Sequence, residues 1–282
     1  MKIYHYTTME SLALILKHKT IRFTRSDKVD DLEEGAAESL GVRLGKYTFI
    51  SCWTEDSEES IPLWKMYTGS VNGVRIALEK DGLFKRYLVP ERNPYGMTNL
   101  TGGPMYLDFP PQEYLGQSEY SIMPIFNRSE SKSSGFYREV QYVDDVSEKT
   151  KNAIRQIPPG PDNNYQGGTF ISLDTVGSFK NKRWAFEKES RFVLTIYPVN
   201  INRMVNGDFH IQEMLHALAE NRLLSFTHYD KELRDGAFDD LEITLSPMAT
   251  DSQRTIVEAL CHQYAPNAVI KESDLYKKVN LK

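Results

Sequence analysis

The first two dozen residues constrain the fold more than any other stretch. Ile3 to Tyr6 is a short apolar run that reads as a strand, and it carries one histidine, His5. Thr7 followed by Glu10 is a capping box, so a helix is expected to start there. Met9, Leu12, Ile15 and Leu16 then recur at helical spacing, and Thr20 to Thr24 reads as a second strand. A ligand could sit where the first strand stops and the helix N-terminus offers free N–H groups. The plainer reading of His5 is a satisfied, partly buried polar side chain.

The 282 residues suffice for one large domain or two modest ones. A formal net charge of −5 argues against a surface built mainly to hold nucleic acid, though a local basic patch is compatible with it. Cys52 and Cys261 match no zinc spacing and are too few for a disulfide framework, so both are expected as buried thiols. The N-terminus opens on strand material with no signal-peptide pattern, and no run of about 18 apolar residues occurs. The expected compartment is the cytoplasm.

Further along, Ser26 to Gly35 forms a strongly acidic loop. Asp30, Asp31, Glu33 and Glu34 could bind a divalent metal, but the spacing is not that of an EF-hand, and a solvated loop capping the next helix is favoured. Tyr47 to Trp53 and Val74 to Leu78 read as strands. Between them Pro62 suits the first turn of a short helix that carries Trp64 and Tyr67. Residues 90–161 are rich in Pro, Gly, Ser and Asn and read as long loops around one strand, Glu139 to Val143. From Glu187 the chain alternates: Phe186, Phe192, Leu194 and Ile196 are assigned to one strand face, and Glu187, Glu189 and Arg191 to the other. That charged face is either a solvent ladder or a carboxylate pair on the floor of a cleft, with Arg191 holding one of them. Ile211 to Leu224 reads as helix with polar loops. The tail reads as a strand at Leu241 to Leu245, a helix over 252–264 capped by Asp251, and a strand at Ala268 to Ser273. No composition break marks a domain boundary, so a single domain over 1–282 is expected, with insertions at about 90–165 and 200–235.

Nucleotide-binding Gly-rich motifs, a Gly-x-Ser-x-Gly elbow and paired metal-spaced histidines are all missing from the sequence; His210 and His216 are six apart and His228 is isolated. What remains is a polar constellation of His5, Trp64, Tyr67 and the Glu187/Glu189/Arg191 face.

The order Ile-Tyr-His-Tyr-Thr, Ile-Arg-Phe-Thr with an acidic loop, Phe-Ile-Ser-Cys-Trp-Thr, Leu-Trp-Lys-Met-Tyr, Gly-Val-Arg-Ile and Phe-Lys-Asn-Lys-Arg-Trp-Ala-Phe-Glu-Lys-Glu-Ser-Arg resembles a bacterial family known as domain of unknown function 2971. It also resembles, more weakly, the His-Tyr-Glu layout of ADP-ribosyltransferases. That second likeness implies an α+β fold with a mixed or antiparallel, split sheet, flanking helices and long loops. It implies NAD as substrate and no metal. His5 would contact a ribose, Tyr67 (or Tyr47) would stack on nicotinamide, and the backbone of Tyr6 and Thr7 would hold the nicotinamide amide. Glu189 would steady the cationic transition state, Glu187 would orient an acceptor, and Arg191 would support the site. The acidic loop has no part in that scheme.

The function expected is therefore an NAD-using transferase to protein or nucleic acid, or an NAD glycohydrolase, in a bacterial defence or toxin setting. The alternatives are a non-catalytic nucleotide- or protein-binding domain of the same fold, and a metal-dependent nuclease using the acidic loop with Glu187 and Glu189.

Overall fold

The computed structural model describes residues 1–89, 105–110, 113, 119–122, 136–159, 167–173, 175–199 and 211–281. Much of the loop-rich stretch expected after residue 90, and His210, lie outside the described residues.

The opening unit forms as strand β1 (Lys2–Thr8), helix α1 (Met9–His18) and strand β2 (Thr20–Arg25). The helix begins one residue later than the capping box predicts. Thr7 and Thr8 stay extended because they pair with Val74 and Gly73, and the Thr8 hydroxyl caps the helix by accepting from the Ser11 amide at 3.2 Å. The left-handed Lys19 closes the helix, and its buried stripe, Met9, Leu12, Ile15 and Leu16, is the one the spacing marks out.

The acidic loop contains a single turn of helix, α2 (Leu32–Gly35), capped by the Asp31 carboxyl. Strand β3 (Thr48–Thr54), helix α3 (Ile61–Tyr67) and strand β4 (Gly73–Glu79) follow. The strand expected over 139–143 is two short ones broken at Val140, β5 (Tyr137–Glu139) and β6 (Gln141–Val143), with different partners. Strand β7 (Phe179–Asn181) leads into a tight turn over Lys182–Glu187 and then the long strand β8 (Glu189–Tyr197). Helix α4 (Ile211–Ala219) is followed by strand β9 (His228–Glu232), which lies in a stretch read as an insertion yet pairs along β2. The chain ends on β10 (Glu242–Leu245), helix α5 (Asp251–Tyr264) and β11 (Val269–Lys271). The cap of α5 is Thr250, in a capping box with Gln253, rather than Asp251.

The fold is α+β, built on a mixed, mainly antiparallel sheet in the order β5–β8–β3–β1–β4–β10–β11. Only the last pair, β10 with β11, is parallel among these neighbours. The path has a fork. Strand β3 pairs with β8 along one edge, while its other edge takes β2 at Phe49 and Ile50 and β1 at Thr54. From β3 outward, β1 continues into β4 and β10, and β2 into β9. Strands β1 and β2 therefore diverge from a common edge, and Ser51 to Trp53 lie in the fork between them.

Each face of the sheet carries its own layer. Ile3, Phe49, Trp53, Ile76, Phe192 and Leu194 pack with α1 and α5 in the main core. Tyr6 packs on Leu63 and Trp64 of α3 on the other face. No described helix is long and apolar enough to cross a membrane.

One core residue breaks the apolar pattern. Lys231 of β9 is buried with its ammonium 4.1 Å from the Phe109 ring centre and 5.3 Å from that of Phe84, and it donates to the Asp108 carbonyl. Burial pushes its pKa down to about 8, against the pull of Asp108. The ordinary value is 10.5, so the fold bears the burial penalty in full below pH 8 and sheds it as the pH rises from 8 towards 10.5. Lys231→Met should unfold about 1 to 2 kcal/mol harder than wild type at pH 7. It should also lack the rise in stability between pH 8 and 10 in denaturant titrations; an unchanged rise would show that another group causes it.

Candidate functional site

The fork holds a cavity of about 310 Å³. Its banks are Tyr4, His5 and Tyr6 of β1 and Arg22 and Thr24 of β2. Its floor is Ile50 to Thr54 of β3, and its far wall is Tyr67, Lys180, Glu187, Glu189, Arg191 and Glu34. Six of the residues singled out from the sequence, His5, Tyr6, Tyr67, Glu187, Glu189 and Arg191, thus border one hollow. Thr7 does not: it is buried against β4, opposite Val74. Tyr47 is also buried elsewhere, its hydroxyl donating to the Arg222 carbonyl at 3.0 Å.

Strand alternation sets which side chains enter. Glu189 sits opposite Thr54 and Arg191 opposite Cys52, so these four share a face, while Ser190 and Phe192 turn to the core. Glu187 is not on that strand. Lys188 has φ 45°, which breaks the alternation, and the residues before it form the tight turn. The turn still delivers Glu187 to the cavity, but it leaves Phe186, expected in line with Phe192, 43% exposed.

Arg191 is the centre of the wall. It is 1% exposed, and all five of its N–H donors are used. Nε and Nη2 donate to Glu189 at 2.6 and 2.9 Å. Nη1 and Nη2 donate to Glu34 at 2.5 and 2.9 Å, and Nη1 also donates to the Gly177 carbonyl at 3.0 Å. Gly177 has φ +81°, and a Cβ there would come within 3.0 Å of Thr48 and Val193, so glycine is needed to present that carbonyl. Gly35 is constrained in a similar way, since a Cβ would meet the Ser26 carbonyl at 2.8 Å where α2 closes over the loop.

A second cation completes the cluster. The Lys180 ammonium bridges Glu187 and Glu189 and lies 4.6 Å from the centre of the Trp184 ring. The Tyr67 hydroxyl donates to Glu187 at 2.6 Å, and the Glu189 amide donates to the Tyr142 hydroxyl at 2.7 Å. Burial acts to raise Glu189, but Arg191 and Lys180 outweigh it and hold the carboxyl at about 2. At Glu187 burial wins over Lys180 and Tyr67 and raises the carboxyl above its ordinary value. Two carboxyls two residues apart are thereby set to opposite tasks, one fixed as an anion and one readier to take a proton.

His5 stands apart from the carboxylates. Alternation places its ring on the core face, 5.0 Å from that of Trp53, and its Nδ1 reaches across the fork to the Cys52 carbonyl at 2.7 Å. A carbonyl only accepts, so Nδ1 carries the proton and Nε2 is left as an acceptor. Burial lowers its pKa, more than the Cys52 bond raises it, which favours that neutral form. Cys52 is not a fully buried thiol: it lines the cavity beside Glu189 and is half-buried, and desolvation pushes its pKa well up. Cys261 is buried as expected.

Glu34 and Lys180 line the cavity, and sequence reasoning left both without a role there. No local pattern marks Lys180. Glu34 is visible only as part of an acidic run, and its partner lies 157 positions away. Within that run Asp31 caps α2 and Glu34 clamps Arg191, and among the described residues no group of three His, Cys, Asp or Glu side chains gathers as a metal site. No known protein family, curated protein or solved structure matches the chain.

Proposed function

We propose that this chain is an ADP-ribosyltransferase-like enzyme that consumes NAD, by transfer to a macromolecule or by hydrolysis. The observation that carries the reading is the meeting of His5, Tyr67, Glu187 and Glu189 around one hollow in the fork of a split sheet. The resemblance to the His-Tyr-Glu layout, which rests on His5, Tyr67 and Glu189, points to the same chemistry. Tyr67 offers an aromatic face for nicotinamide. The neutral His5 offers Nε2 to a ribose hydroxyl. Glu189, kept ionised by two cations, faces the positive charge that grows as the N-glycosidic bond breaks and its electron pair leaves with nicotinamide. Glu187 takes the proton of the incoming nucleophile, a water or an acceptor side chain. Incubation with NAD should release nicotinamide, measured by chromatography. Equal, negligible release by wild type and Glu189→Gln, with protein and nucleic-acid acceptors supplied, would defeat the proposal.

Tyr67→Phe separates stacking from proton handling. The ring stays, while Glu187 loses the 2.6 Å bond that helps hold its carboxyl down. The acid limb of the rate profile should move to higher pH by about half a unit to one unit, because that bond is worth about a kcal/mol, with KM little changed. An unmoved limb would remove Glu187 from the proton-accepting role.

One observation favours a second reading, a non-catalytic nucleotide- or protein-binding domain. Both oxygens of Glu189 are already engaged, by Arg191 and Lys180, as in a purely structural ion cluster. That reading gives binding, weakened by His5→Ala, without turnover.

A further inference from the structure

Four Lys or Arg side chains line the cavity in the fork: Arg22, Lys28, Lys180 and Arg191. Lys180 and Arg191 are buried against Glu187, Glu189 and Glu34. Arg22 donates through Nε and Nη2 to the two Asp230 oxygens, each at 2.8 Å. Lys28 alone of the four makes no hydrogen bond or ion pair among the described residues. It lines the cavity and is also exposed, so its ammonium stands at the mouth, within reach of a ligand that enters the fork.

The loop that carries Lys28 is fixed on both sides. Arg25, buried, grips the neighbouring Asp27 through Nε and Nη2 at 2.7 and 3.1 Å, which commits that carboxylate. The Ser26 hydroxyl donates to the Gly45 carbonyl at 3.4 Å, and beyond Lys28 the Glu34 carboxyl is clamped by Arg191. Of the other acids in the loop, Asp31 caps α2 and Glu33 accepts from Asn181 at 2.8 Å. Asp30 is exposed, so water and salt screen it. The adjoining strand β2 turns Phe23 to the core and Thr24 to the cavity, which sets a half-buried hydroxyl on the same bank.

An uncommitted ammonium held on a fixed loop is a point-charge site for phosphate, with little ordering left to do on binding. The far wall carries the carboxylates Glu187 and Glu189, which repel phosphate. A ligand with one cationic and one anionic end therefore has one favourable direction in the cavity. We propose that Lys28 binds the pyrophosphate of a dinucleotide, so that the phosphates lie at the loop after β2 and the cationic nicotinamide end points to Glu189. This rests on the NAD reading and adds to it the group that sets the direction of the substrate.

The test is calorimetric binding of two uncleavable ligands, the carbocyclic analogue of NAD and the carbocyclic analogue of nicotinamide riboside, which lacks phosphate. The proteins are wild type, Lys28→Gln and Lys28→Arg. Wild type should bind the NAD analogue more tightly than the riboside analogue. Lys28→Gln should weaken the NAD analogue about fivefold to tenfold and leave the riboside analogue unchanged, and Lys28→Arg should restore most of the loss. Wild type that binds both analogues equally, or a Lys28→Gln protein with undiminished preference, would overturn the assignment while the nucleotide reading stands. Equal weakening of both analogues by Lys28→Gln would also overturn it, as the mark of a structural role. Failure of both analogues to bind wild type would overturn the NAD reading and this inference with it.

Discussion

The Arg191→Met variant should unfold about 3–5 kcal/mol more easily than wild type in urea or guanidinium titrations. The size follows from what is left behind rather than from what is lost. Arg191 supplies four bonds to two carboxylates that are 3% and 6% exposed, Glu34 and Glu189. Without it both stay buried with one cation, Lys180, between them and Glu187. The Gly177 carbonyl also loses its donor. A residual penalty this large makes the variant prone to misfolding in the cell. The companion variant Glu34→Gln/Arg191→Met/Glu189→Gln removes the stranded charges together with the guanidinium, and it should recover at least half of the loss. A loss below about 1 kcal/mol for Arg191→Met alone would mean that the wall is more hydrated than its burial implies.

The second large effect is on rate. Glu189→Gln should slow nicotinamide release by about 10²–10³-fold, the range seen when one preorganised electrostatic group is removed from a developing charge. Glutamine keeps the shape and keeps an oxygen for Arg191, so the rate change should exceed any change in KM. The stability loss should stay well under that of Arg191→Met, because one carboxylate, Glu34, still faces the guanidinium. The rates should be compared at a temperature below both unfolding transitions. If kcat is unchanged while stability falls, Glu189 is a structural anchor and the binding-domain reading takes over.

The parts of the fold that could be read from sequence are those set by local chemistry. The α1 stripe, the Pro62 start of α3 and the strand–helix–strand tail depend on neighbours within one or two turns. The strand β9 could not be read, because His-Tyr-Asp-Lys-Glu is polar and charged and becomes a strand only by pairing with β2, some 200 positions earlier. The site shows the same division. His5, Glu187, Glu189 and Arg191 stand out as polar groups in or beside apolar strands. Glu34 and Lys180 do not, since their meaning comes from partners that tertiary packing alone supplies. Alternation also misplaced Glu187, for the left-handed Lys188 has no signature in the local composition. The shift by one residue at Thr7 and Thr8 has a plainer cause: a ladder to β4 outbids the first turn of a helix.

The proposed chemistry requires NAD to occupy the fork between β1 and β2. A crystal structure of the protein with the uncleavable carbocyclic NAD analogue tests that most directly. The nicotinamide ring should lie against Tyr67, with its sugar within hydrogen-bond reach of His5 Nε2 and beside Glu189. Clear density for the analogue on another surface, with the fork filled only by water at saturating concentration, would contradict the account.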